Sequence, residues 1–148
     1  MPTHAEIKTV PYTAEQMYNL VADIESYPKF LPWCIATRIR EREGNQINAD
    51  LVIGYKIFRE TFTSQVTLHP MSRIDVKYAQ GPLRYLNNHW KFKDLPDGKC
   101  ELDFYVDFAF TNHFLQSAIE MFFNEAVRIM IRSFETRAGE LYGKPESQ

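Results

Sequence analysis

The chain has 148 residues, 45% hydrophobic and 24% charged, with 17 Lys+Arg against 19 Asp+Glu for a formal net charge of −2. That length suits a single domain with a core that needs no staples, and the near-neutral balance argues against wholesale phosphate binding along nucleic acid, leaving only a local basic patch open. Two cysteines, Cys34 and Cys100, stand outside any CxxC pair and fit a reduced compartment, while no signal-peptide pattern and no apolar run near the roughly 20 residues of a membrane span are present.

Residues 4–10, HAEIKTV, predict a first strand ending at Pro11. A helix start follows, because Thr13 with Gln16 three residues later makes a capping box and Tyr12 can staple onto Met17. Met17, Leu20, Val21 and Ile24 recur at helical spacing and define one apolar face. The stretch SYPKFLPWC (26–34) then gathers four large apolar side chains around two prolines. It predicts a brief second helix or a turn, with Pro28 suited to a first helical position and Pro32 setting the exit.

From Cys34 to Phe110 the apolar period becomes two, with turn signals at Gly44-Asn45, His69-Pro70, Gly81-Pro82 and Pro96-Asp97-Gly98. Six strands joined by short turns predict an antiparallel meander with one dry face. The last is the clearest: Cys100, Leu102, Phe104, Val106, Phe108 and Phe110 alternate with Glu101, Asp103, Tyr105 and Asp107. Asn112 predicts the cap of a long helix from His113 to Tyr142, closed by Gly143. Its apolar half is expected to carry Leu115, Ile119, Phe122, Phe123, Ala126, Ile129, Met130 and Phe134. The fold class is therefore α+β: a curved antiparallel sheet of about seven strands around a C-terminal helix, with two short helices after the first strand.

Catalytic and metal signatures are missing from the spacing. His4, His69, His89 and His113 lie far apart, with no HxH or HExxH, and no GxSxG or glycine-rich phosphate loop occurs. His89 is the one acid-base candidate on a strand, Cys34 reads as a small buried filler, and Arg38, Arg40 and Arg42 are expected to share one strand face.

What remains is apolar space. The 11 Phe, 8 Tyr and 2 Trp either make a bulky core or line a cleft. The sheet offers Leu51, Ile53, Phe62, Val66, Trp90, Phe104 and Phe108; the helix answers with Phe122, Phe123, Ala126 and Met130. Rigid rings fill irregular gaps poorly, and Ala126 leaves room where a larger side chain would close the gap, so a pocket for a small apolar ligand is expected.

The run VADIESYPKFLPWCIATRIRE (21–41), preceded by VPYTAEQMYNLV, closely resembles the start of the coenzyme Q-binding START-like family, which includes the RatA-type ribosome association toxins. The element order above is similar to that family's helix-grip (START-like, Bet v 1-like) fold across residues 1–142 as one domain, with 143–148 a disordered tail. The resemblance implies a non-enzymatic carrier or chaperone for ubiquinone or a related lipid in respiratory electron transfer, with no cofactor and no metal. It places Tyr27, Pro28, Phe30, Leu31, Pro32 and Trp33 at the cavity mouth, as a lid or a membrane-facing lip, the alternative being that they plug the open end of the sheet. Partners implied are the hydrophobic small molecule, peripheral contact with the inner membrane and, in a toxin-like alternative, the large ribosomal subunit; DNA is not expected. A chain that opens on its first strand fits a bacterial cytoplasmic protein. A cyclase or aromatase of the wider superfamily is the third alternative, and it needs an inward acid-base group beyond Asn88, Ser64 and Tyr78.

Overall fold

The computed structural model describes residues 3–55 and 58–143, the side chains of Tyr55 and Phe58 excepted. The expected tail, beyond Gly143, falls outside those residues. β1 spans Thr3–Val10, α1 Ala14–Ala22, β2 Cys34–Glu43, β3 Gln46–Tyr55, β4 Phe58–His69, β5 Arg73–Gln80, β6 Leu83–Leu95, β7 Lys99–Phe110 and α2 His113–Tyr142. The seven strands form one sheet in the order β1-β7-β6-β5-β4-β3-β2, every pairing antiparallel.

Local chemistry sets α1 as the spacing predicts. The Gln16 amide donates to Thr13 Oγ1 at 3.1 Å, and the Thr13 amide donates to Gln16 Oε1 at 2.9 Å. Met17, Leu20 and Val21 are buried on one face. Two further bonds fasten this helix to distant elements: the Ala14 amide donates to Asp94 Oδ1 on β6, and the Tyr142 hydroxyl at the end of α2 donates to the Gln16 carbonyl.

The second short helix is a 3₁₀ helix, Ile24–Lys29, and Pro28 lies inside it rather than at its first position. Asp23 starts the segment earlier than the proline pattern suggests: its carbonyl accepts from the Ser26 amide and its side chain from the Ser26 hydroxyl. At the exit, the amides of Phe30 and Leu31 both donate to the Tyr27 carbonyl. The Trp33 carbonyl accepts from Gly54, which pins the segment to β3.

Bulges reshape the sheet. The β2–β3 register slips between Cys34 and Ala36 and again between Ile39 and Glu41, and each extra residue bends the strand and resets its alternation. The three arginines of β2 consequently do not share a face. Arg38 stands opposite Asp50 and Arg40 reaches Asp50 Oδ1 at 3.7 Å, whereas Arg42 pairs with the fully buried Ile47 and so takes the concave side.

α2 is capped as expected, with Asn112 Oδ1 accepting from the amides of Phe114 and Leu115 at 2.8 and 3.2 Å. Its buried residues are Phe123, Val127, Ile131, Phe134 and Ala138. The buried line is thus rotated from the expected one: Phe123 and Phe134 hold their places, Val127 and Ile131 join them, and Phe122 and Ile129 are only half-buried. The apolar sector of this helix is wider than the strip the sheet covers, so spacing alone does not fix its centre.

The two halves of α2 meet the sheet differently. Toward its C-terminus, Phe134 sits 5.1 Å from both Trp90 and Phe30 and 5.6 Å from Tyr27, ring centroid to centroid, with Trp90 a further 4.7 Å from Phe104. These edge-on contacts make a solid aromatic plug. Toward its N-terminus the helix stands away from the concave face, and that separation positions the site.

Candidate functional site

A cavity of about 260 Å³ lies between the concave face and the N-terminal two-thirds of α2. Thirteen of the side chains expected at the site line it: Tyr27, Leu31, Trp33, Leu51, Ile53, Phe62, Val66, Trp90, Phe104, Phe108, Phe123, Ala126 and Met130. Four do not. Pro28 and Pro32 face outward on the 3₁₀ segment and its exit, Phe122 lies on the flank of α2, and Phe30 is spent on the plug, its ring against Phe134 and beneath the Arg137 guanidinium 5.6 Å away. The proline-flanked segment therefore forms an end wall: Leu31 is buried, Trp33 faces the space, and the prolines turn the chain around them.

Strand parity would have found most of the remaining wall. Val76, Leu86, Val106 and Phe110 continue the dry alternation, and Leu115 and Ile119 continue the helix face. Glu60 shares parity with Phe62 and Val66, so it too is turned to the cavity, opposite Ile53. Among the described residues it is the single charged one in the wall.

Polar groups here are few and largely committed. The Tyr27 hydroxyl donates to the Val21 carbonyl at 2.5 Å, and burial, with Cys34 and Asp23 adding to it, raises its pKa well above the ordinary tyrosine range. Asn88, opposite Val76 and Val106, donates its amide nitrogen to the Tyr105 carbonyl at 2.8 Å. Trp33 Nε1 is buried with no partner among the described residues, a deficit worth about 1–3 kcal/mol.

Among the described residues no acid-base pair converges on this space. His89 lies on the outer face, stacked on Tyr105 at 5.5 Å and 3.6 Å from Asp103; His4 pairs with Glu6, His69 with Asp75, and His113 is exposed. Of the inward polar residues expected from the sequence, Tyr78 accepts from the Leu83 amide and Ser64 is buried away from the wall. Burial pushes the Cys34 thiol up to about 11, so it is a neutral filler at pH 7. Among the described residues there is no group of three or more metal-ligating side chains, and no helix is long and apolar enough to cross a membrane.

Comparison with known proteins places this geometry in context. The RatA ribosome association toxin of Escherichia coli K12 is 37% identical over 142 residues, covering 96% of this chain and 90% of that protein. The mitochondrial coenzyme Q-binding protein COQ10 homolog B of Xenopus laevis is 31% identical over 147 residues, covering 97% of this chain and 60% of that protein. Among solved structures, an 18 kDa protein of Caulobacter crescentus aligns with a TM-score of 0.79 at 32% identity, covering 97% of this chain and all of that one. The ZhuI aromatase/cyclase of Streptomyces aligns at 0.82 over 93% of both chains but at 16% identity, a likeness of fold alone. Residues 10–135 match the family described as polyketide cyclase / dehydrase and lipid transport, and the chain belongs to that family, with its START-like helix-grip fold.

Proposed function

We propose that the protein binds a hydrophobic ligand, ubiquinone or a related lipid, without altering it chemically, and serves as its carrier or chaperone in respiratory electron transport. The observation that carries this reading is the cavity: about 260 Å³, walled by apolar side chains, close to the lower end of small-molecule sites and large enough for a ring-sized head group. Among the described residues its walls bring together no nucleophile with a base and no acid-base pair, which favours holding a ligand over transforming it. The relative named as coenzyme Q-binding supports the ligand class. On this reading the protein works from the cytoplasm, in peripheral contact with the inner membrane where such lipids reside.

Organic extraction of protein purified from respiring cells, followed by mass spectrometry, tests it. A quinone or other lipid near one per chain is expected, and Ala126→Trp, which fills the middle of the cavity, should reduce it severalfold. Empty extracts, together with no binding of added short-chain quinone, would defeat the carrier reading.

The similarity to proteins named ribosome association toxins, at 37% identity over 96% of the chain, favours a second reading, binding to the large ribosomal subunit. Arg38 and Arg40 on the outer face of β2 are the place to look. Co-sedimentation with large subunits that falls steeply with salt and is lost in Arg38→Glu/Arg40→Glu, while lipid content is unchanged, would support it.

A further inference from the structure

Polarity along the cavity wall is uneven. Glu60, the single charged wall residue among those described, stands opposite Ile53 on β3, and the next residue of that strand, Gly54, donates its amide to the Trp33 carbonyl at 2.9 Å. Trp33 and Glu60 therefore share one end of the cavity, beside the last residues of β3 and the first of β4. Asn88 lies elsewhere: it shares a row with Val66, Val76 and Val106, and Val66 is six residues beyond Glu60 on β4. A charged group in an apolar wall keeps water about it, so the Glu60 end is where a polar head loses least on entry.

That end also holds a donor that lacks an acceptor. Trp33 Nε1 can only donate, and it is buried without a partner among the described residues. The other side-chain donors of the wall are placed differently. The Tyr27 hydroxyl donates to the Val21 carbonyl, one N–H of the Asn88 amide donates to the Tyr105 carbonyl, and the Trp90 indole is boxed by Phe104 and Phe134 in the aromatic plug.

We propose that Trp33 Nε1 donates to an oxygen of the ligand's polar head, which seats the head at the end shared by Trp33 and Glu60 and leaves its hydrocarbon to the remaining wall. The inference rests on the lipid-carrier reading above. Protein atoms cover the nitrogen, so the bond forms as the indole turns about χ2, a torsion with a broad well. Quinone and quinol oxygens both accept, so the bond serves either redox form.

Nitrogen–proton correlation spectra of delipidated protein, titrated with decylubiquinone and with decylbenzene, read the bond directly, because the chain has 2 Trp and so two indole signals. The Trp33 indole proton is expected to move downfield with the quinone and not with the hydrocarbon. Trp33→Phe keeps an aromatic wall without the donor, and should lower the quinone-to-hydrocarbon affinity ratio about tenfold. Should that variant fail to fold, the spectra of the unaltered protein, assigned by triple resonance, carry the test. A Trp33 indole unmoved by the quinone, a downfield shift at Trp90 or the Asn88 amide in its place, or an equal loss of both ligands in Trp33→Phe would overturn the inference while leaving the carrier reading intact. Failure of both ligands to bind would overturn both.

Discussion

Three side chains show how this interior treats polar atoms. Tyr27 keeps its ring edge-on to Phe30 and Phe134 and sends its hydroxyl to the Val21 carbonyl at 2.5 Å, so one residue both plugs the core and ties the 3₁₀ segment back to α1. Cys34 and Cys100 are 3% and 0% exposed, the Cys34 thiol makes only a long contact of 3.9 Å to the Ala36 carbonyl, and burial raises both thiols from 9.0 to about 11. The folded chain therefore holds these protons more tightly than the unfolded chain. Stability from this source is complete below pH 9 and declines as the pH rises toward 11, because the unfolded state releases protons first. Thermal unfolding followed from pH 8 to pH 11 should show the midpoint falling across that window, and falling less in Cys34→Ala/Cys100→Ala. The buried tyrosines contribute with the same sign, so a residual slope is expected, and an undiminished one in the double variant would contradict the assignment.

Turns and bulges decide what each element presents. Gly81 joins β5 to β6 at φ +142°, and a Cβ there would lie 2.8 Å from Phe62 Cβ, 3.0 Å from Phe62 Cα and 3.1 Å from the Thr61 carbonyl oxygen. Two of those three are backbone atoms that cannot swing aside. Gly81→Ala should therefore cost about 1–3 kcal/mol in urea denaturation, with the strand carrying Phe62 pushed from its place in the cavity wall; a change within about 0.5 kcal/mol would show that the turn relaxes freely. The elements themselves were legible in the sequence wherever a local signal sufficed: the Thr13–Gln16 box, the Asn112 cap and the unbroken alternation of β7 each read correctly. Two things were not legible. The Ile39/Glu41 bulge turns Arg42 to the concave side, and no local pattern marks it, since bulge position depends on pairing with β3. The centre of the α2 face was equally hidden: Val127 and Ile131 follow Phe123 at helical spacing, but the apolar sector is wider than the strip the sheet covers, and only the packing decides which part of it is buried. At the site, parity was enough to place Asn88 inward and would have placed Glu60 there too; the bond from the Asn88 amide to the Tyr105 carbonyl depends on a pairing with β7 that only the three-dimensional structure creates.

Across the whole molecule the division of labour in α2 explains how one helix can both stabilise the fold and leave space. Its C-terminal half is locked by Phe134, by the Lys8–Glu135 ion pair to β1 and by the Tyr142 bond to α1. The N-terminal half is thereby held off the sheet without needing to fill the gap beneath it. The sheet has a matching asymmetry. Strands β2 to β7 each pair with the next in sequence, but β1 pairs only with β7, and Thr3 meets Asp107 across 104 residues. Closing so long a loop is entropically costly and slow. Pulsed hydrogen exchange during refolding should accordingly find the β1 amides protected after those of β3 and β4, and simultaneous protection would refute this order. During synthesis the consequence is sharper: the first strand to leave the ribosome has to wait, unmatched, until Phe110 has followed it out, so a nascent chain halted before then carries a sticky N-terminal ribbon with no complement of its own to receive it.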